Sequence, residues 1–183
     1  MNHLAPIIAA VVLLFPNTKD TLRSQPLNLQ TAAQQPQTSD ADSLLRSAFQ
    51  LASEQRYDEA LALCAKASSL NPNDYRPRAL AGYIYSAQRK LKSASEAFAD
   101  AIRLQPTVRE LYLAKAEADF LRNAHEEGAA ACRKATEIDP NYTEAYAMLC
   151  DLLKFDGTHR EEAINALRTA IKLKPACLIR TMI

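Results

Sequence analysis

Tryptophan is absent from the 183 residues, and glycine occurs only three times. So little glycine leaves no Gly-rich loop to cradle phosphate, and it suits a helical chain with few special turns. Neither a nucleophile elbow nor the His-Glu spacing of a metalloprotease occurs, so no catalytic constellation is legible. An excess of one charge is also missing: the net charge is +1. Nucleic acid as the main partner would require a clustered basic surface, and the balance argues against it. Cysteine is sparse, and no two of Cys64, Cys132, Cys150 and Cys177 have the spacing of a zinc site. No cofactor is expected.

The apolar run at residues 4–15 is too short for a spanning helix of roughly 20 residues. It fits the core of a secretory signal of about 7–15 residues. Yet only His3 precedes it, Pro16 breaks it, and no Ala-x-Ala site follows closely. Residues 1–15 therefore read as an export signal or an uncleaved membrane tether, against a misplaced start or disordered leader. The first reading places the protein in an exported, periplasmic or membrane-anchored setting; the second leaves it cytoplasmic. Residues 16–40, rich in Gln, Thr, Ser, Pro and Asn without hydrophobic period, read as a flexible linker.

What the chain does have is a repeat. Pro72, Pro106, Pro140 and Pro175 stand 34, 34 and 35 residues apart. Upstream of each, the same offsets carry small residues: Ala60 and Ala67, Ala94 and Ala101, Gly128 and Ala135, Ala163 and Ala170. Between them lie Cys64, Phe98, Cys132 and Leu167. The fullest copy is residues 75–106, two short amphipathic helices with a break near Arg89–Leu91. Gly82 in mid-helix costs about 1 kcal/mol relative to alanine, which close approach of the partner helix would explain. Each proline then stops its helix for want of an N–H.

Helix pairs at this period, with Ala81, Gly82, Tyr85, Ala94, Phe98, Ala101 and Pro106 in register, resemble the tetratricopeptide repeat family. The resemblance implies an all-α, right-handed superhelical solenoid of about four helix–turn–helix repeats over residues 41–175. The repeats fall at about 41–74, 75–108, 109–142 and 143–177, and 176–183 form a short tail. The helices are expected at 42–54 and 57–70, then 107–122 and 125–138, then 143–155 and 159–173, around the pair already placed. Ser39, Asp40 or Asp42 is the expected cap of the first helix. Asp119 and Gly128 depart from the family phrase, so the third helix pair is expected to pack more loosely. An extra residue in the turn Asp156-Gly157-Thr158 accounts for the 35-residue interval.

The resemblance further implies that the first helix of each repeat lines a concave groove, through its offsets 2, 5, 9 and 12. Those positions hold Asp42, Leu45 and Phe49, then Arg76, Ala79, Tyr83 and Ser86. They continue with Glu110, Leu113, Glu117 and Phe120, then Glu144, Ala147, Asp151 and Lys154. Four carboxylates in the last two repeats predict a protein or peptide partner with apolar anchors and at least two basic residues. The bland alternative is a solvated face of ordinary charges. The positions used by family members that clamp a chaperone's terminal carboxylate hold Leu45, Phe49, Leu80, Glu110 and Ala114, none of them a suitable donor. The leading function is a non-catalytic interaction scaffold; the alternative is an assembly subunit self-associating through an uncapped C-terminal repeat. Cys64, Cys132 and Cys150 are expected as small buried packing residues, with a Cys132–Cys150 disulfide as the minor alternative. His125 and His159 read as turn residues beside acidic first turns, with a two-histidine metal site the rarer option.

Overall fold

A computed structural model describes residues 36–154 and 157–174. The signal-like segment, most of the linker, Cys177 and the tail lie outside the described residues, and with them the expectation for localisation. The helices are α1 (Pro36–Ser53), α2 (Tyr57–Leu70), α3 (Arg76–Ala87), α4 (Leu91–Leu104), α5 (Arg109–Leu121), α6 (His125–Ile138), α7 (Thr143–Leu153) and α8 (Arg160–Leu173). Among the described residues there is no strand, and no helix is long and apolar enough to cross a membrane. The chain divides between Leu104 and Gln105 into two compact units. In the first, α1 packs on α2, α2 on α3 and α3 on α4, while α1 also touches α3. The second repeats the scheme with α5 to α8, including an α5–α7 contact.

Helix ends follow the chemistry of the chain. Helices α2, α4 and α6 stop two residues before Pro72, Pro106 and Pro140, which cannot continue a helical ladder. No side-chain cap closes the start of α2, α5, α6, α7 or α8. Carboxylates fill their first turns instead, at Asp58 and Glu59, Glu110, Glu126 and Glu127, Glu144, and Glu161 and Glu162. There they meet the positive end of the helix macrodipole. Helix α1 corrects the expected boundary, because it starts at Pro36 and takes in the last five residues of the predicted linker. Ser39, Asp40 and Asp42 therefore lie within it, and none is its cap.

Three of the four hairpins turn in one way. Gln55, Arg89 and Asn123, spaced 34 apart, take φ of 63°, 60° and 62°. The next amide in each case reaches back to a carbonyl in the last helical turn: Arg56 to Leu51 at 2.9 Å, Lys90 to Tyr85 at 2.9 Å, Ala124 to Asp119 at 2.8 Å. This is the Schellman closure, made here without glycine. The fourth hairpin, with its extra residue, turns through a 3₁₀ segment at Gly157–His159.

Alanine dominates the buried faces, and the few large residues decide the fit. In the first unit Leu45, Leu80, Ile84 and Phe98 are buried to 1% exposure or less. A Cβ on Gly82 would stand 2.7 Å from the Phe98 ring, so this glycine makes room for a phenyl ring rather than for a backbone. In the second unit the core joins Ala116, Ala129, Cys132, Leu149, Leu152, Leu153, Ala163 and Ala166. A Cβ on Gly128 would meet Leu152 at 2.9 Å and the Ala116 carbonyl oxygen at 3.3 Å. The third helix pair is thus closely packed, contrary to the looser fit expected. Asp119 does not loosen it either: fully buried, it accepts from Lys115 Nζ at 2.5 Å and Arg122 Nε at 2.9 Å.

Candidate functional site

Helix α5 buries Leu111, Ala114, Ala116, Ala118 and Asp119. That leaves Glu110, Leu113, Glu117 and Phe120, at i, i+3, i+7 and i+10, along its opposite side. Helix α7 buries Thr143, Ala145, Leu149, Leu152 and Leu153, leaving Glu144, Ala147, Asp151 and Lys154 in the same register. Glu117, Glu144 and Lys154 are exposed, and the other five are half-buried.

The two helices are joined at their N-terminal ends by Arg109 and Tyr142. The Arg109 guanidinium lies 4.6 Å from the centroid of the Tyr142 ring. Its Nε donates to Glu110 at 3.0 Å, and its Nη1 pairs with Asp139. The Tyr142 hydroxyl is held above the usual phenol range, first by burial and then by the fields of Glu110 and Glu144, with Glu117 adding to them. Arg109 opposes the shift without cancelling it. Three of the four predicted carboxylates therefore act on one point. Asp151 is the exception, since Lys154 Nζ donates to it at 2.9 Å and neutralises it locally. Among the described residues Glu144 makes no hydrogen bond or ion pair. Tyr142 itself escaped the sequence reading, because it precedes α7 and falls outside the helical offsets. Its signal was its place two residues before Glu144, opposite Arg109.

The first unit treats the same offsets differently. Arg76 Nη2 reaches Asp42 at 2.7 Å, and its Nε and Nη2 hold Asp74 at 2.8–3.0 Å. These bonds keep the guanidinium charged more firmly than usual. The pair 42–76 confirms that equivalent positions of α1 and α3 adjoin, yet it uses up both side chains. Leu45 is 0% and Tyr83 5% exposed, which corrects their assignment as groove contacts. Tyr83 is drawn inward by Phe98, whose ring it meets edge-on at 5.0 Å across the space left by Gly82. Leu45 is a core leucine of a helix that packs on two neighbours. Phe49 stays half-buried.

The remaining candidates are structural. Cys64 and Cys132 are buried free thiols whose pKa burial pushes up to about 12. Such thiols are poor nucleophiles at neutral pH. Cys150 is also free, so it forms no disulfide with Cys132, and it is half-buried rather than buried as expected. His125 opens α6 and packs edge-on against Phe120 at 5.8 Å. His159 ends the 3₁₀ turn beside Thr158.

With this geometry in place, residues 51–118 match the family model described as tetratricopeptide repeat. Residues 51–118 therefore carry tetratricopeptide repeats. The fold agrees with solved structures that are only distantly similar in sequence. A MamA crystal structure is 17% identical with a TM-score of 0.68, covering 76% of this chain and 81% of its own. MamA from Desulfovibrio magneticus RS-1, residues 41 to its end, gives 20% and 0.65, with 75% and 77% covered. The first TPR of Spaghetti (RPAP3), solved with the HSP90 peptide SRMEEVD, gives 21% and 0.59, with 63% and 92% covered. No curated protein matches the sequence. The tetratricopeptide hairpin also accounts for the helix pairs beyond residue 118, since α6, α7 and α8 keep the same spacing and the same small residues.

Proposed function

We propose that this chain is a non-catalytic protein-interaction scaffold, and that the outward side of α5 and α7 holds a basic and apolar segment of a partner. The observation that carries the reading is the placement of Glu110, Glu117 and Glu144 off the buried faces of α5 and α7, with the half-buried Tyr142 just before α7. Side chains that share a field also share a counter-charge, and a ligand lysine or arginine would supply it. The bland account covers part of this: Glu110 and Glu144 sit in first turns, where the macrodipole favours them. It does not cover Glu117, two turns further on. The peptide in the Spaghetti structure carries two glutamates and an aspartate. A face of this sign would repel it, in keeping with the missing donors at the clamp positions.

Fluorescence anisotropy with short labelled peptides tests the reading. Peptides bearing lysines and leucines should bind, and the same peptides with glutamates for lysines should not. E117K with E144K should weaken binding at least tenfold and flatten its salt dependence. Equal affinity for both peptide sets would overturn the reading. Self-association through the last repeat finds less support. The exposed side chains of α8 are Arg160, Glu161, Asn165, Arg168 and Lys172 with Ile164, a mostly polar surface.

A further inference from the structure

Helix α8 leaves its cations unanswered, whereas α6, built on the same hairpin, pairs its own. The buried side of α8 is Ala163, Ala166 and Ala170. The opposite side exposes Arg160, Ile164, Arg168 and Lys172, each one helical turn after the last, so that they form one stripe. By the 35-residue interval, Arg168 is the counterpart of Arg133, and Lys172 of Glu137. Arg133 is met by Glu162 at 2.7 Å and Glu126 at 3.1 Å, and Lys134 by Glu137 at 2.7 Å. Among the described residues Arg160, Arg168, Lys172 and Lys174 make no ion pair. The imbalance continues in the sequence: from Ala163 to Ile183 the charged residues are Arg168, Lys172, Lys174 and Arg180, with no Asp or Glu. The helix macrodipole accounts for Lys172 in the last turn. It disfavours Arg160 at the first position and does not reach Arg168.

We infer that the outer stripe of α8 rests on an anionic lipid surface as a peripheral contact. A protein groove that takes a helix reads several apolar anchors, and on this helix Ile164 is the one exposed large apolar residue. A lipid surface suits that arrangement: Ile164 enters the headgroup layer while Arg160, Arg168 and Lys172 beside it meet phosphates. The sequence continues with Leu178, Ile179, Met182 and Ile183, further apolar side chains around Arg180. The contact does not cross the membrane, since no described helix is long and apolar enough to do so. The α5–α7 face carries the opposite sign, so the two surfaces answer different partners.

Flotation of the full chain with vesicles is the test. Phosphatidylcholine vesicles with about one third phosphatidylglycerol should bind it roughly tenfold more strongly than phosphatidylcholine alone, and high salt should erase the difference. Any contribution of the apolar run at 4–15 enters both arms, so the ratio reads the charged surface. R168E with K172E should bring the ratio close to one, and R168K with K172R should keep it. Ile164→Ser should weaken binding to the anionic vesicles about threefold with the salt dependence intact. R89E with K90E, which reverses the basic turn of the first unit, should leave the ratio in place. Far-UV circular dichroism checks that each variant is folded. Equal binding to both vesicles, or a preference that survives R168E with K172E, would overturn the inference. Capture by a soluble polyglutamate peptide, with no preference between vesicles, would overturn it in favour of an acidic protein segment.

Discussion

The two units build the same helical hairpin and use their charges in opposite ways. In the first, Arg76 gathers Asp42 and Asp74, so the ionic groups of α1 and α3 satisfy one another. In the second, Arg109 is outnumbered by carboxylates, and Glu144 faces solvent without a partner among the described residues. The apolar fit is exchanged as well. Phe98 lies over Gly82 in the first unit; at the equivalent positions the second has Cys132 and Ala116, and its glycine has moved to Gly128. A repeat can therefore relocate volume between its helices without changing its path, and this leaves its outward positions open to different chemistry.

The comparison can be broken at several strengths. Phe98→Ala should cost about 3–5 kcal/mol, whereas Cys132→Ala at the equivalent position should cost only about 1 kcal/mol. Denaturant melts followed by circular dichroism would measure both, and equal losses would show that Phe98 does not anchor the first unit. Asp119→Ala should follow at about 2–3 kcal/mol, because it strips the shared acceptor from Lys115 and Arg122. The partners' 21% and 32% exposure keeps the loss below that of a wholly buried pair. Gly82→Ala comes next, at about 1–2 kcal/mol destabilising, since the clash with a locked phenyl ring outweighs the gain of about 1 kcal/mol in helix propensity. Arg89→Gly should stabilise by about 0.5–1 kcal/mol, as the left-handed turn carries a Cβ penalty that glycine lacks.

The smallest effect belongs to Glu162, which Arg133 holds below the usual carboxylate range through bonds of 2.7 and 2.9 Å. A folded pKa below the unfolded one gives stability that is present at neutral pH and lost as pH falls through the carboxylate range. With the two side chains 36% and 31% exposed, the pair contributes about 0.5 kcal/mol. Glu162→Gln should remove that much at pH 7 and almost nothing at pH 3.

Helix ends and packing residues were legible because proline and alanine act through local sterics, which recur with the period. The closing turns were not, since Gln55, Arg89 and Asn123 share a backbone conformation and no side-chain chemistry. Offsets along a helix located the faces of α5 and α7 but gave no depth, so Leu45 and Tyr83 were assigned to an open face when their size drew them into the core. The start of α1 was hidden by a polar composition that reads as linker. Tyr142 was missed for a simpler reason: it belongs to a turn, and the helical template does not reach it.

The account rests on the second unit, and not the first, presenting a charge that a ligand can answer. Backbone amide chemical shifts measured while a lysine–leucine peptide is added test this directly. Shifts confined to residues 109–120 and 142–154, and reversed by E117K with E144K, are the predicted result. Shifts that centre on 42–53 and 76–87, or that persist in the charge-reversed variant, would contradict it.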